Sequence, residues 1–188
     1  MAKSPNPVLH LQGRLSFPNL FEPAKPMPGD TGKPKYGLTL LLDKRAQAKE
    51  IRELNAAVQS VKLNSDKLKG NKRPIDSPVR EGTEKEHLDG YNSSNVFISA
   101  RNHTRPGVVD RNLSPLTAED GKPYAGCIVN CTVECYGYVH PKSGPGITFS
   151  LRNVQFVRDG EPFGEKRTKA EEDFSALEES DASVDSGI

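Results

Sequence analysis

The sequence predicts a mainly β protein: an OB-fold-like, five-stranded antiparallel barrel with one helix between the second and third strands and long loops. Three observations predict it. Strand-like apolar runs recur along the chain, each bounded by Gly, Pro, Asn or Asp. A single segment switches to a helical period. The later strands are joined by short turns, as in small closed barrels. A β-sandwich with a surface helix is the alternative architecture.

The elements follow in order. Residues 8–15, VLHLQGRL, read as the first strand, and residues 17–34, rich in Pro and Gly, as a loop. Residues 35–43, KYGLTLLLD, are the second strand. Asp43 can cap a helix, because its carboxylate accepts from the free amides of a first turn. Beyond it, Ile51, Leu54, Val58 and Val61 recur at spacings of three and four, which puts them on one helical face fading near Asn64. Residues 62–90 are polar and without period, a loop long enough to be functional or disordered. Strands resume at 95–101, briefly at 108–109, at 126–139 and at 147–157, with turn signals at Pro106-Gly107, Asp120-Gly121 and Asp159-Gly160.

Length and charge add a second layer. A chain of 188 residues, 34% hydrophobic and without Trp, supports one domain with appendages. No run nears the ~20 apolar residues that span a bilayer. The N-terminus has no apolar signal core, so a soluble intracellular protein is expected, with no membrane partner. The net charge of +1 hides an asymmetry. Residues 1–170 hold all 26 Lys and Arg against 18 acids, a net charge of +8. Residues 171–188 hold Glu171, Glu172, Asp173, Glu178, Glu179, Asp181 and Asp185 and no basic residue. We therefore divide the chain into a folded domain, 1–170, and a disordered acidic tail, 171–188. A basic body with an acidic tail points to nucleic acid, or to a solubilising tail on an ordinary protein.

Cys127, Cys131 and Cys135 are followed by His140, a spacing that suggests zinc. On a strand, however, four residues span ~13 Å, whereas zinc needs its sulfurs ~2.3 Å away. The same separation excludes a disulfide among them. They read as small buried hydrophobes, with no metal and no cofactor. Asn130, Thr132, Glu134, Tyr136 and Tyr138 share the opposite face. The two tyrosines could stack on unpaired bases or pack under a loop. Phe97, Ser99, Arg101, His103 and Arg105 alternate if the chain stays extended, lining a ring and two guanidiniums along one track. The alternative is a solvated strand end. Tyr91 could add a ring, and the cluster Lys62, Lys67, Lys69, Lys72 and Arg73 could wrap phosphates. No phosphate-binding glycine loop, zinc-protease motif or nucleophile elbow occurs, so no catalytic residue is assigned.

Four blocks in fixed order carry a family resemblance: GRLSFPNLFEP at 13–23, KPKYGLTLLLDK at 33–44, RPGVVD at 105–110 and YAG at 124–126. Over residues 8–165 the chain resembles the replicative single-stranded-DNA-binding proteins of tailed bacteriophages. The resemblance implies an OB-fold, binding of single strands without sequence preference, no catalysis, and an acidic C-terminal tail. On that basis Arg101, Arg105, Lys35, Lys72 and Arg73 are expected to track phosphates. Tyr91, Phe97, Tyr136 and Tyr138 are expected to stack on bases, with Phe17 a further ring. The tail, with Phe174 among its acids, is expected to compete with DNA and to recruit phage or host replication proteins. It ends on Ile188 rather than on the aromatic residue common in this functional class. Expected partners are single-stranded DNA, duplex DNA or RNA more weakly, and further copies along the strand. The expected location is the cytoplasm of an infected bacterial host. Two other functions fit the same residues: an RNA-binding regulator of the same fold, and a protein-interaction module acting through its tail.

Overall fold

The computed structural model describes residues 6–29, 31–164 and 174–176, and among these has seven strands, one α-helix and two short 3-10 turns. The strands are β1 (Val8–Ala24), β2 (Lys35–Asp43), β3 (Arg80–Glu81), β4 (Asn95–Asn102), β5 (Gly107–Val109), β6 (Ile128–His140) and β7 (Gly144–Arg158). The helix α1 (Ala48–Asn64) lies between β2 and β3. Five strands close a barrel in the order β1–β2–β4–β7–β6 and back to β1. Five is odd, so strand direction cannot alternate all the way round. One joint must be parallel, and it is β4–β7, at Ala100↔Phe149 and Arg101↔Ser150. This is the OB-type barrel that the sequence predicts, with its helix after the second strand. β3 extends the exposed side of β4, and β5 runs parallel to β7.

Alternation decides which side chains fill the barrel. Along β6, Val129, Cys131, Val133 and Cys135 point inward while the residues between them stay half exposed. Leu15, Leu40, Leu42, Ile98, Phe149 and Leu151 complete the interior from the other strands. All three cysteines are free and buried, and burial pushes the Cys131 and Cys135 thiols up to about 12. They act as small apolar residues in the wall. Helix α1 adds Leu54, Ala57, Val58 and Val61 to the same core. Asp43 caps the turn leading into it, accepting from the Arg45 and Ala46 amides. Those bonds hold its carboxyl below the usual range. The helix itself starts at Ala48 and ends at Asn64, as its period predicts.

Two elements differ from expectation: the segment 62–90, expected as a loop, carries β3 and a 3-10 turn at Gly82–Lys85, and the first strand is longer than predicted. The first strand does not stop at Leu15 but continues to Ala24. Its pairing with β2 runs through Ser16↔Thr39, Asn19↔Gly37 and Ala24↔Lys35, with register shifts on both sides of Asn19. A bulge of this kind inserts unpaired residues and bends the strand. It also destroys the alternation by which a strand is recognised, so the segment reads as a loop.

Candidate nucleic-acid interface

The outer face of β1, β2 and β4 is built in rows. Arg14, Leu41 and Phe97 lie side by side, then Ser16, Thr39 and Ser99, then Asn19, Gly37 and Arg101. The middle row is small and polar, with Thr39 and Ser99 hydroxyls 3.2 Å apart. At Gly37 a Cβ would come within 2.8 Å of the Ala100 carbonyl and of Arg101 Cγ. Gly37 is buried beneath the Arg101 stem, and Ser16 and Thr39 beside it are buried too, so the rows make a covered floor of small residues.

At one end of this floor sits an aromatic cluster. Tyr91 and Phe97 meet edge to face, ring centroids 5.4 Å apart, and pack with Leu41. The Tyr91 hydroxyl donates to Ser16 Oγ at 2.9 Å, and burial pushes its phenol above the ordinary value. Both rings were expected to stack on bases, yet Tyr91 is only 4% exposed and Phe97 5%. Leu88 and Phe163 pack against them and the Lys85 ammonium lies over both, so in this state neither ring is open to a base. The ring that does face solvent is Phe17, 51% exposed, at the bulge of β1 with φ +46°. A bulky residue in the left-handed region is strained by about 1–3 kcal/mol. Lys85 Nζ hangs 5.5 Å from the Phe17 ring, 4.9 Å from Phe97 and 5.9 Å from Tyr91.

At the other end stand the cations. Lys35, Arg101 and Arg105 are exposed, and Arg105 lies 5.8 Å over the Phe21 ring. Among the described residues, Lys35, Lys85, Arg101 and Arg105 form no salt bridge. The extended track stops short of Arg105, because β4 ends at Asn102 and the chain bends at His103 and Thr104. Phe97, Ser99 and Arg101 keep their alternation.

The remaining expected residues lie elsewhere. Tyr136 and Tyr138 are half-buried on the outer face of β6. The Tyr138 ring covers Gly146 on β7, and burial raises the Tyr136 phenol. Beside them Glu134 takes Arg152 at 2.5 Å and accepts from Asn6 at 2.8 Å. Lys72 and Arg73 are exposed, and Arg73 reaches towards Gly144 at the β6–β7 turn. The expected residues thus divide into two groups: Phe17, Lys35, Tyr91, Phe97, Arg101 and Arg105 on one face, and Lys72, Arg73, Tyr136 and Tyr138 on the other. Lys85 was not anticipated. Glu84 and Glu86 flank it, so the segment carries no basic signal.

Segment 159–164 runs beside the first face. Tyr124 Oη donates to Asp159 and Gly160 N donates to Tyr124 Oη. Arg14 donates to the carbonyls of Gly126 and Glu161 and covers the Phe163 ring at 4.0 Å. Phe163 packs against the Leu41–Tyr91–Phe97 cluster, and Gly164 N reaches Asp89 Oδ2 at 3.4 Å. Phe174 is described and 76% exposed. Glu171, Glu172, Asp173, Glu178, Glu179, Asp181 and Asp185 lie outside the described residues.

A family model for the ssDNA-binding protein of Enterobacter phage Enc34 matches residues 7–184. Protein p50 of Acyrthosiphon pisum secondary endosymbiont phage 1 is 42% identical over 172 residues, covering 87% of this chain and 90% of its own. Among solved structures, the single-stranded DNA-binding protein of bacteriophage Enc34 in complex with ssDNA aligns with a TM-score of 0.71 at 26% identity, over 82% of this chain and 89% of that one. The bacteriophage T7 protein gp2.5 aligns with a TM-score of 0.56 at 12% identity, over 97% of this chain and 98% of its own, a likeness of fold.

Proposed function

Since the chain belongs to the family of the Enterobacter phage Enc34 ssDNA-binding protein, we propose that it coats and protects single-stranded DNA during phage DNA replication and recombination, in the cytoplasm of the infected host. The family is one of binders, not catalysts. The observation that carries the reading is the outer face of β1, β2 and β4. It combines an exposed ring, Phe17, with exposed cations, Lys35, Arg101 and Arg105, that form no salt bridge among the described residues. Unengaged cations track phosphates, and a ring stacks on any base, which makes binding indifferent to sequence. Lys35, Arg101 and Arg105 take the phosphates.

The acidic tail competes for the same face and, once displaced by DNA, recruits phage or host replication proteins. Its point of departure supports this. Segment 159–164 is fastened against the aromatic cluster, which sets Gly164 beside the face that carries Phe17.

A gel-shift titration with a single-stranded oligonucleotide across a salt series tests the reading. Full-length protein should bind, with affinity falling steeply as salt rises through counterion release. Removing residues 171–188 should tighten binding at low salt, and the gain should shrink at high salt. No binding at any salt refutes the DNA reading, and unchanged affinity after truncation refutes self-competition. Tighter binding to an RNA oligonucleotide would favour an RNA-binding regulator instead.

A further inference from the structure

We propose that Phe17 and Lys85 form the principal nucleotide seat: one base stacks on the Phe17 ring while the neighbouring phosphate draws the Lys85 ammonium off the rings. The proposal rests on the single-strand-binding reading above and names where that reading acts.

Phe17 is the first observation. Folding alone would bury a phenylalanine and avoid φ +46°. Here the bulge between Ser16 and Asn19 turns the ring outward instead, half exposed. The arrangement is held from beneath. The Tyr91 hydroxyl bonds Ser16, the residue immediately before the bulge, and Tyr91 is braced edge to face on Phe97. Tyr91 is thus a positioning residue for Phe17 rather than a stacking surface.

Lys85 is the second. It closes the 3-10 turn Gly82–Lys85. That turn is pinned by Arg80, whose guanidinium donates to Glu84 at 2.5 and 2.8 Å, and by the close fit of Gly82 against Asn95. Its ammonium is within 6 Å of three rings and in no salt bridge among the described residues. A cation over a ring face is a weak contact at a partly exposed site. A phosphate is the stronger partner, through a charge-assisted hydrogen bond. An arriving strand therefore offers Lys85 a better partner and leaves the Phe17 face to a base.

The chain has no Trp. Phe17→Trp therefore installs a single indole whose emission reports stacking directly. On adding an oligothymidylate, emission should fall by about half or more, with the midpoint given by the anisotropy of a labelled oligonucleotide. Tyr138→Trp should change little. Phe17→Ala should weaken binding about tenfold, the weight of one stacked base. Phe17→Tyr should retain most of it. Lys85→Gln should reduce the salt slope by about 1, as for one lost phosphate contact. Full binding by Phe17→Trp with unchanged emission would overturn the seat, as would an unaltered salt slope in Lys85→Gln. Failure of the wild-type protein to bind would instead overturn the reading beneath it.

Discussion

The two outer faces of the barrel carry the same kinds of residue, rings and arginines, but engage them differently. On β6 and β7, Arg152 is paired with Glu134 at 2.5 Å, and the Tyr138 ring covers Gly146. On β1, β2 and β4, Arg101 and Lys35 face water without a carboxylate among the described residues, and Phe17 is turned out by a strained bulge. Composition cannot separate the two faces. What separates them is whether each group already has a partner inside the protein. A satisfied ion pair contributes to the fold and gains little from a phosphate. An unsatisfied cation gains most of its interaction energy only when DNA arrives.

The sharpest division runs within the first face, between Phe97 below and Phe17 above. Phe97 is buried against Leu41 and Tyr91, so Phe97→Ala should destabilise the protein by about 3 kcal/mol. For a chain of this size that is a fall of roughly 6–12 °C in Tm. Phe17→Ala removes an exposed ring and should leave Tm nearly unchanged while weakening DNA binding. Thermal melts of the two variants, read beside their affinities, would break the distinction if both lost stability alike.

The tyrosines of β6 test the other side. Replacing Tyr136 and Tyr138 together by Ala should change affinity for single strands by less than about threefold, well under the loss expected for a stacked base. A tenfold loss in a folded protein would move the seat to β6 and β7.

Much of this was legible in the sequence, for physical reasons that differ by element. The strand at 35–43 and the helix from 48 to 64 declare themselves because one apolar periodicity runs through each. The cysteines were placed correctly because strand alternation alone fixes their direction. Phe17 to Ala24 was read as a loop because a bulge shifts the register and erases alternation. Tyr91 looked available because its neighbours in sequence are polar. Its burial comes from packing with Leu41 and Phe163, far away in sequence, contacts no local pattern carries. Lys85 was hidden by the glutamates on either side, although its ammonium lies over three rings and forms no salt bridge with either. The site was readable as a list of residue types, and unreadable as an arrangement wherever a long-range contact decides exposure.

The smallest expected effect concerns Glu134, the group that commits the β6–β7 face to structure. Hydrogen bonds from Asn6 and Arg152 hold its carboxyl below the usual carboxylate range. A group whose folded pKa is depressed stabilises the fold above its unfolded value, near pH 4.3, and loses that contribution as pH falls through the folded value. Glu134→Gln removes the charge and leaves Arg152 without its partner, so the variant should melt slightly below wild type at pH 7. The gap should narrow as both are acidified towards pH 3. DNA affinity at neutral pH should stay within about twofold of wild type or rise slightly, since a freed Arg152 adds one weak phosphate contact. A large gain in affinity would mean that Glu134 restrains a second DNA-binding face, and the contrast between the faces would then be one of masking rather than of design.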